Sequence, residues 1–156
     1  MIWPFNKKKP IDVQKPITNP ALKKTIHTFN SNRTEINLLK VISEMKNANF
    51  LILASNDELK TTETADKNIV TVEEGSIIKF LNTFNENGEV FTPLFTDWKE
   101  IGLWIEVTKD ISSWIMPTDE AFNFILKNKG VKGLVINPCT DRWTMTKEQI
   151  DNFLKE

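Results

Sequence analysis

Two short segments hold the residue types from which a site could be built. Phe95-Thr96-Asp97-Trp98 lies inside "GEVFTPLFTDWKEIGLW", where an alternating apolar stretch gives way to a helix-like pattern. Asn137-Pro138-Cys139 follows the apolar run "GLVI". Together they offer a hydroxyl, a carboxylate, a carboxamide and a thiol. An enzyme or small-molecule site would be sought near Phe95–Trp98 and Asn137–Cys139. Nucleophilic catalysis of the Ser–His or Cys–His kind would also need His27, the only histidine in the chain.

The same residues have plainer structural readings. His27 sits between Ile26 and Thr28 in a helical pattern, which places it on the surface. Cys139 has one nearby cation, Arg142, and is expected to be a partly buried, inert thiol. One histidine and one cysteine do not make the usual four-ligand zinc site. No acidic loop has EF-hand spacing, so no metal or cofactor is expected. "GVKG" (130–133) has the glycine ends of the loop with which KH domains clamp RNA, but a helix stop at Gly130 and a strand start at Gly133 account for it. Phosphate-cradling glycine motifs are missing from the sequence.

For the Phe95–Trp98 segment the structural reading is a strand-to-helix corner. Asp97 is placed as N-cap and Glu100 as the third helical residue, both at the positive end of the helix dipole. Trp98, first in the helix, should face the loop side. Phe95, Thr96 and Trp98 would then edge a groove with Asn137 and Pro138. Aromatic side chains at such a rim are typical anchors for a protein or peptide partner.

These segments must be positioned by the surrounding elements. Residues 1–18 contain Pro4, Pro10 and Pro16 and no periodicity, and read as a flexible basic leader. "NPALKKTIHTF" starts a helix with Asn19 as N-cap, Pro20 first, and Leu22, Ile26 and Phe29 on one stripe. A second helix is predicted from the Asn32/Glu35 capping-box spacing, with Ile36, Leu39, Ile42 and Met45 buried. "FLILAS" reads as a strand covered on both faces. Residues 56–68 read as a loop, and Ile69–Val72 as a short strand. "IIKFLNTF" and "EVFTPLF" flank Asn87-Gly88 and predict a hairpin, with an edge or bulge at Pro93. "ISSWIM", a helix from Thr118 to Lys129, "GLVINP", and a final helix with Thr146/Gln149 capping complete the chain. This order predicts a single α/β (α+β) domain over 19–156: a mixed β-sheet containing a hairpin, with helices packed on it.

The opening "NPALKKTIHTF", then "FLILAS", then Asn87-Gly88 leading into "FTPLFTDW", the 118–129 helix, "GLVINP" and the final helix together resemble the SseB family. These are bacterial proteins named for enhanced serine sensitivity, and the resemblance is to their N-terminal domain. It runs from about Asn19 to Leu154. It implies a small cytoplasmic α/β domain and brings no reaction, cofactor or catalytic set with it. Some members carry a second domain, which a chain stopping at Glu156 is expected to lack, and the resemblance leaves open whether the serine-linked phenotype applies. The resemblance leaves room for an interaction module or a protective partner of other proteins.

Composition agrees with a soluble domain: 40% hydrophobic, 26% charged, and a single cysteine that excludes an internal disulfide. The charge is uneven. Residues 1–33 carry seven Lys/Arg against Asp12, whereas the remainder carries 13 bases against 20 acids. An acidic body repels phosphate backbones, so nucleic acid is not expected as the ligand. The basic start, with Ile2, Trp3 and Phe5, offers residues 1–10 for weak contact with an anionic membrane surface. A secretory signal and a membrane-spanning run are both lacking, and the expected location is cytoplasmic. The sequence-level expectation is a non-enzymatic, SseB-like domain acting through a protein partner or self-association, with a small-molecule-binding protein or enzyme as the alternative.

Overall fold

The computed structural model describes residues 17–55, 61–63, 70–72 and 79–156. Most of the leader, the 75–76 turn and Trp3 lie outside them. The described residues form five helices and nine strands in one α+β arrangement.

Helix α1 (Pro20–Ser31) buries Leu22 and Ile26 and rests Phe29 against the same core. Asn19 does not cap it. Its backbone is left-handed (φ 43°), and its side chain turns away to other elements. Helix α2 (Glu35–Lys46) is capped by Thr34, whose side chain accepts from the Asn37 N–H at 3.2 Å. The expected Asn32/Glu35 box is not formed, because the Asn32 N–H is still closing α1 on the Thr28 carbonyl. Its buried line is Asn37, Val41 and Met45. Ile36 and Leu39 point outward, 67% and 56% exposed, contrary to expectation. Both stripes of α2 are apolar, and only one can face the core.

Strand β1 (Asn49–Ser55) is buried on both faces, as its composition predicts. Alternation divides it between two cores. Phe50 and Ile52 join the large cluster with Phe122 and Leu134, while Leu51 and Leu53 join a smaller one with Phe95 and Ile101. Short strands β2 (Thr61–Glu63) and β3 (Val70–Val72) pair antiparallel. The Thr61–Glu63 strand falls within the segment read as loop, since its β-branched threonines find a partner in Val70–Val72.

Strands β4 (Lys79–Phe80), β5 (Thr83–Phe84) and β6 (Val90–Leu94) follow. The β5–β6 hairpin forms where Asn87-Gly88 predicts it. Asn85 Oδ1 accepts from the backbone N–H groups of Asn87 and Glu89, and Gly88 takes φ 76°. After β6 come α3 (Trp98–Trp104), β7 (Ile111–Pro117), α4 (Thr118–Lys127), β8 (Gly133–Ile136), β9 (Trp143–Thr146) and α5 (Lys147–Lys155). The Thr146/Gln149 capping box of α5 is present.

The larger sheets are β4-β1-β7, all antiparallel, and β5-β6-β8-β9, in which β6 and β8 run parallel. A bridge between Leu51 and Phe95 joins them, with reciprocal N–H···O bonds of 2.9 Å. Pro93 is therefore on an interior strand, not an edge. Leu94 accepts from Asn137 toward β8, while Phe95 bonds Leu51 on the opposite side. By the two-residue period, the missing Pro93 N–H faces the gap between β5, whose pairing ends at Phe91, and that bridge. Gly133 is fixed by β9: a Cβ there would stand 2.0 Å from the Met145 carbonyl oxygen.

Candidate functional site

Strands β6 and β8 are parallel neighbours, so their carboxyl ends lie side by side. In α/β sheets such ends commonly border a ligand crevice. This is where Thr96 and Asn137 meet, although 41 residues separate them.

Asn137 occupies the position with its own side chain. Its Oδ1 accepts from the Thr96 N–H at 3.1 Å, and its Nδ2 donates to Thr96 Oγ1 at 2.9 Å and to Asp141 Oδ2 at 2.8 Å. Its backbone is left-handed (φ 51°), which asparagine tolerates better than most residues. That turn lets its carbonyl accept from the N–H groups of Thr140 and Arg142. Thr96 and Asn137 are both fully buried. The corner is a filled, internally satisfied junction.

Asp97 caps α3 as expected: its Oδ1 accepts from the Glu100 N–H at 3.0 Å. Its Oδ2 accepts from Thr96 Oγ1 at 3.1 Å and from Lys23 Nζ at 2.9 Å. Lys23 also donates to Glu100 Oε1 at 3.1 Å, and the other Glu100 oxygen accepts from Thr140 Oγ1 at 2.7 Å. Asn19, at the head of α1, donates to the carbonyls of Asn49 and Thr96 at 2.7 and 2.8 Å. One polar network thus ties the start of α1 to β1, to the corner and to the loop after β8. Asn19, Lys23, Thr140 and Asp141 carry no local sequence signal for this role, because their partners are mostly distant in the chain.

Electrostatics follow from that network. Burial would push the Asp97 carboxyl up, but the Lys23 ammonium, the Glu100 N–H and the Thr96 hydroxyl outweigh it and hold the group below its ordinary value. Burial would lower the Lys23 pKa, yet its bonds to Asp97 and Glu100 outweigh that and raise it. Both charged forms are favoured, so the pair acts as an ion pair and not as a proton donor and acceptor poised near neutrality.

The remaining expected residues are spread around this junction. Phe95 is fully buried against Trp104, with ring centroids 5.5 Å apart, and so does not edge a groove. The strand continues to it through the Leu51 bridge and turns its ring into the core. Trp98 is 48% exposed. Pro138 is half-buried. Cys139 is exposed, not partly buried, and its thiol donates to the Leu103 carbonyl at 3.4 Å. His27 is exposed on α1, and no hydrogen bond joins it to Cys139 among the described residues. Among those residues no three His, Cys, Asp or Glu side chains stand together as metal ligands.

Two shallow, open clefts lie on the described surface, and neither is lined by Thr96, Asp97 or Asn137. One, of about 800 Å³, lies between the Asn87-Gly88 turn, Lys129–Lys132 and the start of α5. It contains most of "GVKG", whose Gly130 N–H bonds Asn128 Oδ1 and whose Lys132 N–H bonds the Val90 carbonyl. The other, of about 470 Å³, lies beside the α1–α2 turn and β9. No described helix is long and apolar enough to cross a membrane.

The SseB protein N-terminal domain family matches residues 22–152, most of the chain. No curated protein and no solved structure matches at a significant level. The matched span runs from the buried Leu22 of α1 into α5 and contains the corner built on Thr96, Asp97 and Asn137. The chain belongs to the SseB family, through its N-terminal domain.

Proposed function

We propose that this SseB domain is a non-enzymatic, cytoplasmic module that works through protein–protein contact, with α3 and the residues after it as the contact surface. The observation that carries this reading is the exposure of three large apolar side chains within ten residues: Trp98, Leu103 and Val107, each about half exposed. Exposed apolar groups of this size are the material of interface anchors. The polar groups behind them support the same reading. Asp97, Glu100, Thr96 and Asn137 spend their bonds on one another and on Lys23, leaving a stiff platform under Trp98. An enzyme or small-molecule site at Phe95–Trp98 and Asn137–Cys139 would have to break that network before substrate could enter.

The single exposed thiol, Cys139, stands beside Leu103 and offers a position for a photo-crosslinker. Cross-linking in native cytosol should yield one dominant protein adduct with the wild type, or a dimer of the chain. Trp98→Ala should lose it while keeping its far-UV spectrum. Equal adducts from both proteins would refute the proposed surface.

A further inference from the structure

The smaller cleft, beside the α1–α2 turn and β9, has a polar lining dominated by hydrogen-bond donors. Arg33 and Arg142 both line it, both are exposed, and neither guanidinium has a carboxylate partner among the described residues. Arg142 is held at φ 51°, a left-handed conformation that disfavours any residue with a Cβ. The fold therefore keeps an arginine where glycine would be easier.

Trp143, in the same wall, has a buried indole N–H with no acceptor among the described residues. Buried donors without partners are uncommon in native proteins. The Phe29 and Trp143 rings meet T-shaped, with centroids 5.3 Å apart, and an aromatic ring is at best a weak acceptor. The amide of Asn30 adds a further donor. Asp141 is the one carboxylate in the lining, and its Oδ2 is engaged by Asn137. Phe29 and Leu38 supply an apolar wall. The cleft is shallow and open, with about 470 Å³ of accessible space, so a ligand there would stay partly exposed.

We propose that this cleft binds a small ligand carrying a carboxylate or phosphate. Arg33 and Arg142 hold the anionic group, and an apolar body lies against Phe29, Leu38 and the Trp143 ring. The planar guanidinium fork matches both anions. This site is separate from the α3 surface and stands or falls independently of it.

The test is the ¹H–¹⁵N indole resonance of Trp143, assigned by its loss in Trp143→Phe. Inorganic phosphate and benzoate are titrated separately at constant ionic strength set with sodium chloride. A saturable shift is expected with at least one of them, and the tighter of the two identifies the anion. Arg33→Gln and Arg142→Gly should each weaken binding about tenfold, the loss of one charge-assisted contact. Glycine also suits the backbone at 142, and Arg33 is exposed, so both variants are expected to fold. Failure of both anions to saturate, or undiminished binding in the double variant, overturns the proposal.

Discussion

Replacing Asn137 with alanine removes three hydrogen bonds from a position that water does not reach. The Thr96 N–H is left buried without an acceptor, which costs about 1–3 kcal/mol. Thr96 Oγ1 still has Asp97, and Asp141 is partly exposed and can turn to water. Alanine must also adopt φ 51°, at about 1–2 kcal/mol. Asn137→Ala should therefore lose about 2–5 kcal/mol, or about 5–20 °C in Tm for a domain of this size. Asn137→Gly loses the same bonds but accepts the backbone, and should recover about 1–2 kcal/mol of that deficit. The assay is urea unfolding followed by tryptophan fluorescence, using matched slopes to compare variants. If Asn137→Ala costs less than about 1 kcal/mol, the corner is not held by this amide. If Gly and Ala are equal, the backbone part of the reasoning is wrong.

Asp97→Ala should cost about 0.5–2 kcal/mol through loss of the α3 cap, read from the same urea curves. The Lys23–Asp97 pair makes stability depend on pH at both extremes. Asp97 is held below 3.8, so its contribution is present above that pH and fades as pH falls through its folded value. Lys23 is held above 10.5, so its contribution is present below that pH and fades as pH rises through its folded value. Lys23→Met should lower the plateau and flatten both limbs of a pH–stability profile; unchanged limbs would show that the pair contributes nothing. Gly133→Ala should cost at least about 1–3 kcal/mol, because the new Cβ meets the Met145 carbonyl and not a movable side chain, and thermal melts will show it. Trp98→Ala should shift Tm little while abolishing partner cross-linking, which separates a binding residue from a packing one.

Where the physics is local, the sequence was readable. The run Phe50–Ala54 is apolar at every position, and only a strand between two cores satisfies it. Asn87-Gly88 set the hairpin, and Asp97 capped α3, because each acts within a few residues. The inner face of α2 is not legible, because Ile36 and Leu39 are as apolar as Val41 and Met45, and packing partners elsewhere choose between the stripes. Asn19 has the ideal type for a cap yet spends its amide on Asn49 and Thr96, a choice available only once β1 and the corner are in place. The same holds for the candidate site. Thr96, Asp97 and Asn137 were legible as a corner and a strand end, but their union and the Lys23 pairing span 41 and 74 residues. The burial of Phe95 is not legible, because nothing local tells whether a strand's last aromatic turns to solvent or to the core.

The Thr96–Asn137 corner is a closed structural lock, and the proposed contact surface lies outside it. Amide hydrogen exchange at Thr96 tests this most directly. Its N–H is bonded only to a side chain, so protection there reports the lock and not a strand ladder. The account predicts that Thr96 exchanges at the rate of the buried β1 amides, through global unfolding. Fast exchange at Thr96, with β1 still protected, would mean that the corner opens on its own as a ligand site must, and would contradict the account.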